Sequence, residues 1–212
     1  MKPISQCFDD AFAACPLVAI LRGLTPAEAP AVGDSLADAG FTLIEVPLNS
    51  PDPYDSIALL ANRLEGRALI GAGTVLEVAQ VERVRAAGGT LIVSPNTDPA
   101  VIHASVAAGL ISLPGYYTAS EAFAALAAGA TRLKLFPAEA TPPAMLKAQR
   151  AVLPRSVRIV AVGGITPETM GSWRAAGADG FGLGSNLYSP GKSAADVRRD
   201  ADAYHAAWKD LA

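Results

Sequence analysis

The chain has 212 residues, 51% of them hydrophobic and 17% charged, with a formal net charge of −3. This composition excludes a disordered chain and supplies no basic face for nucleic acid, so any anionic ligand must be held by local donors. The two histidines, His103 and His205, and the two cysteines, Cys7 and Cys15, fall in no metal-ligand or redox spacing, which argues against a histidine-rich metal site.

The first sixteen residues read as a helix. Asp9 and Asp10 interrupt it where a signal peptide would be apolar, and no run approaches the roughly 20 apolar residues of a membrane span. A cytoplasmic protein with free thiols and no membrane partner is expected. From there apolar strands and Ala/Leu-rich helices alternate. The expected strands are Leu17–Leu21, Thr42–Val46, Ala68–Gly71, Thr90–Val93, Leu110–Leu113, Arg132–Leu135, Val157–Ala161 and Gly180–Leu183. Thr25-Pro26 and Thr166-Pro167 place a capping hydroxyl before a first-turn proline, with Glu28 and Glu168 read as capping-box partners.

An Ala-Gly pair ends the helical stretch at Gly40, Gly88, Gly109, Gly129 and Gly177. Glycine suits a helix C-terminus because it adopts the left-handed conformation without steric cost. Gly66 and Pro154 fill the two long gaps, which leaves a repeat of about 24 residues. A strand-helix repeat of that length means parallel βα units. Eight of them predict a single (β/α)8 TIM barrel over residues 1–212, with the N-terminal helix over the barrel's N-terminal mouth.

Chemistry on such a barrel belongs at the C-terminal ends of the strands. Those ends carry Arg22, Glu45, Gly71-Ala72-Gly73-Thr74, Ser94-Pro95-Asn96, Pro114-Gly115, Lys134, Gly163-Gly164 and Gly184-Ser185. Lys134 lies in the apolar run Leu133-Lys134-Leu135-Phe136. Burial there lowers its pKa and makes the neutral amine a nucleophile toward carbonyls; the other reading is a strand-end lysine reaching out to water. Glu45, in another apolar strand, is either a proton carrier near that amine or a structural partner of Arg22 or Lys134. The glycines after the last two strands, with the Ser185 hydroxyl, read either as a backbone cradle for phosphate or as tight turns. Gly71 to Thr74 suits a small carboxylate, or simply a turn and helix cap. Arg22 can grip a carboxylate or phosphate, or pair with Glu45.

Taken together, Ile20-Leu21-Arg22-Gly23, Ile44-Glu45-Val46-Pro47-Leu48-Asn49-Ser50, Gly71-Ala72-Gly73-Thr74-Val75-Leu76, Val93-Ser94-Pro95-Asn96, Leu113-Pro114-Gly115, Lys134-Leu135-Phe136-Pro137-Ala138, Val162-Gly163-Gly164 and Gly182-Leu183-Gly184-Ser185 resemble the class I aldolases that cleave 2-keto-3-deoxy-6-phospho sugar acids. The resemblance spans nearly the whole chain. Pro47-Leu48-Asn49-Ser50, Val162 before the glycine pair, and Arg22 on the first strand look like the phosphogalactonate branch. The phosphogluconate branch carries Thr-Leu-Arg-Thr and Thr-Gly-Gly at the first two of these places.

The resemblance implies a Schiff base on Lys134, with Glu45 moving protons at C4 and C3. It implies Arg22 and Thr74 at the keto-acid end, Pro95 and Phe136 as pocket walls, and Val162 as a reader of C4 configuration. Gly163, Gly164, Gly184 and Ser185 are expected to bind the phosphate. Also implied are a phosphorylated keto-acid substrate, no metal, no organic cofactor and a homotrimer. The alternatives are the gluconate epimer or dual specificity, an isomerase or epimerase that forms no imine, and a barrel that only binds a phosphosugar.

Overall fold

A computed structural model describes residues 2–211. Helix α1 (Ile4–Ala14) is followed by β1 (Leu17–Ile20), α2 (Ala29–Asp38), β2 (Leu43–Pro47), α3 (Pro53–Arg63), β3 (Leu69–Gly73), α4 (Val78–Ala86) and β4 (Leu91–Val93). Then come α5 (Pro99–Ala107), β5 (Ile111–Leu113), β6 (Gly115–Tyr116), α6 (Ala119–Ala127), β7 (Arg132–Leu135) and a 3-10 turn (Ala138–Ala140). The chain ends with α7 (Pro143–Arg150), β8 (Arg158–Val162), α8 (Pro167–Ala175), β9 (Gly180–Leu183) and α9 (Ala194–Lys209). All strand pairs are parallel, in the order β5-β4-β3-β2-β1-β9-β8-β7-β6.

The expected fifth strand, Leu110–Leu113, is β5; nine strands are present instead of eight because Gly115 and Tyr116, beyond its expected end, pair as a further short strand, β6, after Pro114. Proline has no N–H to donate to a ladder, and pairing changes sides there. Leu113 accepts from Ser94 N at 3.4 Å on the β4 side, while Pro114 accepts from Lys134 N at 2.8 Å on the β7 side. The break therefore brings the sheet round to meet itself as a TIM-like barrel.

Side chains alternate across each strand, and this separates two cores. Leu17, Ala19, Ile44, Val46, Leu133, Leu135, Ile159 and Ala161 pack outward with the helices. Val18, Ile20, Leu43, Leu91, Val93, Ile111, Leu113, Val160 and Val162 fill the barrel together with Phe8 and Phe12 of α1. The expected N-terminal helix thus covers that mouth: Phe8 is 0% and Phe12 7% exposed. The Arg132 guanidinium lies 4.4 Å from the Phe8 ring centroid and donates to Asp9 at 2.6 Å. Burial of each ring contributes roughly 1.5–3 kcal/mol, enough to hold a helix whose outer face is wet.

The Ala-Gly signals end helices as expected. After α2, for example, Gly40 has φ +91° and Phe41 N donates back to Leu36 O at 3.0 Å, the bond that a left-handed C-terminal residue permits. One capping assignment is corrected. Thr166 caps α8, but its box partner is Thr169, whose hydroxyl accepts from Thr166 N at 2.9 Å; Glu168 is one position too early. Glu28 does accept from Thr25 N, at 3.1 Å, in a turn that precedes α2. Among the described residues, no helix is long and apolar enough to cross a membrane.

Candidate active site

Glu45 sits two residues beyond Leu43, which faces the barrel interior, so it projects the same way from the C-terminal end of β2. Lys134 stands likewise two residues beyond Arg132 on β7. Both are buried, Glu45 at 1% and Lys134 at 7% exposure. Burial pushes the Glu45 carboxyl up to about 7, against the opposing pull of Lys134 and Arg22. Burial also pushes the Lys134 amine below its ordinary value; Glu45 opposes that shift and the Arg22 charge adds to it. Each group's charged form is disfavoured by desolvation and supported by the other, with Arg22 also favouring the Glu45 carboxylate. Glu45 Oε2 has no hydrogen-bond partner among the described residues.

Two neighbours shape this pair. Gly73, at the end of β3, leaves the space that the carboxylate occupies: a Cβ there would lie 2.0 Å from Glu45 Oε2. Lys134 Nζ lies 4.9 Å from the Phe136 ring centroid, within cation–π range.

A cleft of about 470 Å³ opens over the C-terminal ends of β1, β7, β8 and β9. Its wall brings together Arg22, Lys134, Phe136, Val162, Gly163, Gly164, Gly184 and Ser185. Glu45 lies beneath it. Thr74 and Pro95 do not line it; they follow β3 and β4, on the other arc of the mouth. Thr74 has φ +54°, a strained conformation for a β-branched residue. Arg22 is not paired with Glu45. It donates instead to Asn49 Oδ1 at 3.1 Å, which fixes it beside the β2 loop.

Gly163 and Gly164 have φ of +117° and +63°. A Cβ on Gly164 would also come within 2.9 Å of Glu139 Cβ, so both the turn and the packing need glycine. The N–H groups of Gly163, Gly164, Ser185 and Asn186 have no partner among the described residues. Glu139, Asn186 and Tyr188 also line the cleft. The sequence reading omits them because they lie in irregular loops, where no periodicity tells which way a side chain points. The arrangement offers a masked amine, a carboxyl able to give or take a proton near neutrality, and a set of free amides for an anion.

A family model described as KDPG and KHG aldolase matches residues 8–199. A Rhizobium meliloti protein named "Probable 2-dehydro-3-deoxy-6-phosphogalactonate aldolase" is 52% identical over 193 residues, 91% of either chain. The Escherichia coli protein named 2-dehydro-3-deoxy-6-phosphogalactonate aldolase is 47% identical over 195 residues, 92% of this chain and 95% of the relative. A solved structure described as native KDPGal superposes with a TM-score of 0.91 at 46% identity, covering 92% of this chain and 95% of its own.

Proposed function

The chain belongs to the KDPG and KHG aldolase family, and from that premise we propose that it cleaves 2-dehydro-3-deoxy-6-phospho-D-galactonate to pyruvate and D-glyceraldehyde 3-phosphate through a Schiff base on Lys134. The observation that carries this reading is the buried pair: a lysine held below its ordinary pKa beside a carboxyl held at about 7. An isomerase or a binding-only barrel has no use for a desolvated amine.

In the proposed sequence, neutral Lys134 adds to the C2 ketone and, with one proton taken up from solvent, water leaves to give an iminium; the final hydrolysis returns that proton. Glu45 takes the C4 hydroxyl proton, directly or through a water. The O–H pair becomes the new aldehyde C=O, the C3–C4 bond breaks, and its electrons pass into the iminium to form an enamine. Glu45 returns the proton to C3, and hydrolysis releases pyruvate and frees Lys134. Arg22 would orient the carboxylate end from the cleft wall and Thr74 from the other arc of the mouth, with Phe136 walling the cleft and Pro95 the opposite arc. Gly163, Gly164, Gly184 and Ser185 would hold the phosphate through N–H groups and a hydroxyl.

Substrate choice is assigned to Val162. It lies on the cleft wall, where an isopropyl group cannot donate or accept a hydrogen bond. The galactonate substrate is therefore expected to show the higher kcat/KM of the two C4 epimers, and Val162→Thr is expected to raise kcat/KM for the gluconate epimer by about 10-fold. Steady-state kinetics on both epimers checks this; a wild-type preference for the gluconate epimer refutes the substrate assignment.

The spatial claim about Glu45 has its own test. Gly73→Ala puts a Cβ into the carboxylate's place, at an overpacking cost of about 1–3 kcal/mol. Pyruvate should still be trapped on Lys134 by borohydride, while kcat falls by roughly 10²-fold, the scale of an ångström's misplacement. Unchanged kcat in a folded variant would refute Glu45's role. A homotrimer is part of the same proposal. Leu76 and Val78, 47% and 50% exposed beside the start of α4, are apolar surface that another copy can cover. Light scattering should read three times 21.7 kDa.

A further inference from the structure

Among the described residues, the proposed phosphate cradle has no cation left over from the other proposed roles. The charged side chains on the cleft wall are Arg22, Lys134 and Glu139. Arg22 is held by Asn49 and assigned to the carboxylate end, Lys134 is assigned to the imine, and Glu139 lies against Gly164, where it repels an anion. Phosphate recognition then falls on neutral amides, and an N–H contact weakens steeply as its direction deviates. Something must aim them.

After β9 the chain makes one helical turn: Leu187 N and Tyr188 N both donate to Gly184 O, at 2.8 and 3.0 Å. At the other end of that turn, Lys192 Nζ donates to the carbonyl oxygens of Asn186 and Leu187, at 3.1 and 2.8 Å. The same ammonium pairs with Asp200 Oδ2 of α9 at 2.5 Å, with side chains only 17% and 27% exposed. A cation on the last carbonyls of a helical turn is the favourable arrangement. The loop after β8 is anchored to the same helix. Ile165 O accepts from Tyr204 Oη of α9 at 2.9 Å and from Asn186 Nδ2 at 3.4 Å. Both halves of the cradle thus hang on α9, whose residues take no part in the proposed chemistry.

We propose that Lys192 is a positioning residue for the phosphate group: held by Asp200, it clamps the Gly184–Tyr188 turn and sets the direction in which the Ser185 and Asn186 amides meet the phosphate. This inference rests on the phosphate site proposed above. It makes Lys192 a determinant of preference for phosphorylated aldehydes that never touches the reacting carbons.

The test is aldol addition of pyruvate to D-glyceraldehyde 3-phosphate and to D-glyceraldehyde. Lys192→Met should raise KM for the phosphorylated aldehyde roughly 10- to 100-fold, the scale of a misplaced binding group. It should leave kcat/KM for D-glyceraldehyde and borohydride trapping of pyruvate unchanged. Lys192→Arg should restore most of the loss. Asp200→Asn keeps the lysine and should show a smaller selective rise, so it carries the test if Lys192→Met does not fold. Equal losses on both aldehydes, or none on either, overturn the proposal. Ser185→Ala separates the two levels: a selective KM rise there, with none in Lys192→Met, rejects the clamp alone. No selective effect in any variant rejects the phosphate site as well.

Discussion

Lys134→Met is expected to abolish imine formation: after pyruvate and borohydride the variant should carry no pyruvyl adduct, and kcat/KM for cleavage should fall by about 10⁵-fold or more, the scale of losing a covalent nucleophile. Methionine nearly matches the lysine stem in length, so the apolar contacts of β7 persist and the loss is chemical. Stability supports that separation. The folded pKa of Lys134 is lowered from 10.5 by burial. Between that lowered value and 10.5 the unfolded chain binds more protons, so this group's contribution to stability rises with pH across the window and is least favourable below it. At neutral pH the methionine variant escapes the desolvation of an amine, and its Tm should equal or exceed that of the wild type. Mass mapping after borohydride decides the matter. A pyruvyl adduct remaining elsewhere in the variant, or activity within tenfold of wild type, sinks the assignment of Lys134.

The residues to which this chemistry is assigned were legible for one physical reason: regular strands project side chains predictably. Lys134 and Glu45 interrupt apolar runs, and period-two alternation together with the strand-end rule places both over the barrel mouth. The Ala-Gly helix ends were legible because a left-handed C-terminal residue leaves a compositional mark. What escaped lies where the backbone is irregular. Pro114 marks the expected end of the fifth strand, and only the change of hydrogen-bonding side at Leu113 and Pro114 shows that the chain goes on as β6. Glu168 and Thr169 are adjacent, and an offset of one residue decides which side chain reaches back to the cap. Arg22 and Glu45 have complementary charges, yet Asn49 takes the guanidinium, a choice made by loop geometry and invisible in residue types. Lys192 lies in Ser189-Pro190-Gly191-Lys192-Ser193, an irregular stretch with no periodicity to orient a side chain; its carbonyl partners exist only once the turn at Gly184 has formed.

Glu45→Gln should separate imine formation from turnover. The variant keeps the Lys134 amine and still traps pyruvate with borohydride, while kcat falls by about 10²- to 10⁴-fold, the usual worth of a positioned acid–base group. The wild-type rate should decline as pH drops through about 7, where Glu45 gains a proton and ceases to be a base. The variant should lack that limb. Stability gives an independent readout of the opposite sign. Because burial raises the folded pKa above the ordinary 4.5, the folded state binds more protons than the unfolded state between 4.5 and about 7. The contribution of Glu45 is therefore fully present below 4.5 and is lost as pH rises through about 7, a difference of about 3 kcal/mol at 1.36 kcal/mol per pKa unit. Glutamine is not subject to that loss. Relative to wild type, the variant's stability should rise by that amount between pH 4 and 8, or roughly 6–12 °C in Tm for a chain of this size. Thermal unfolding of both proteins at the two pH values measures it, and a Tm difference that does not change with pH would mean that Glu45 is not the buried, proton-holding carboxyl described here. The same desolvation that makes Glu45 useful near neutrality makes it destabilising there, so the inactive variant is expected to be the more stable protein at pH 8.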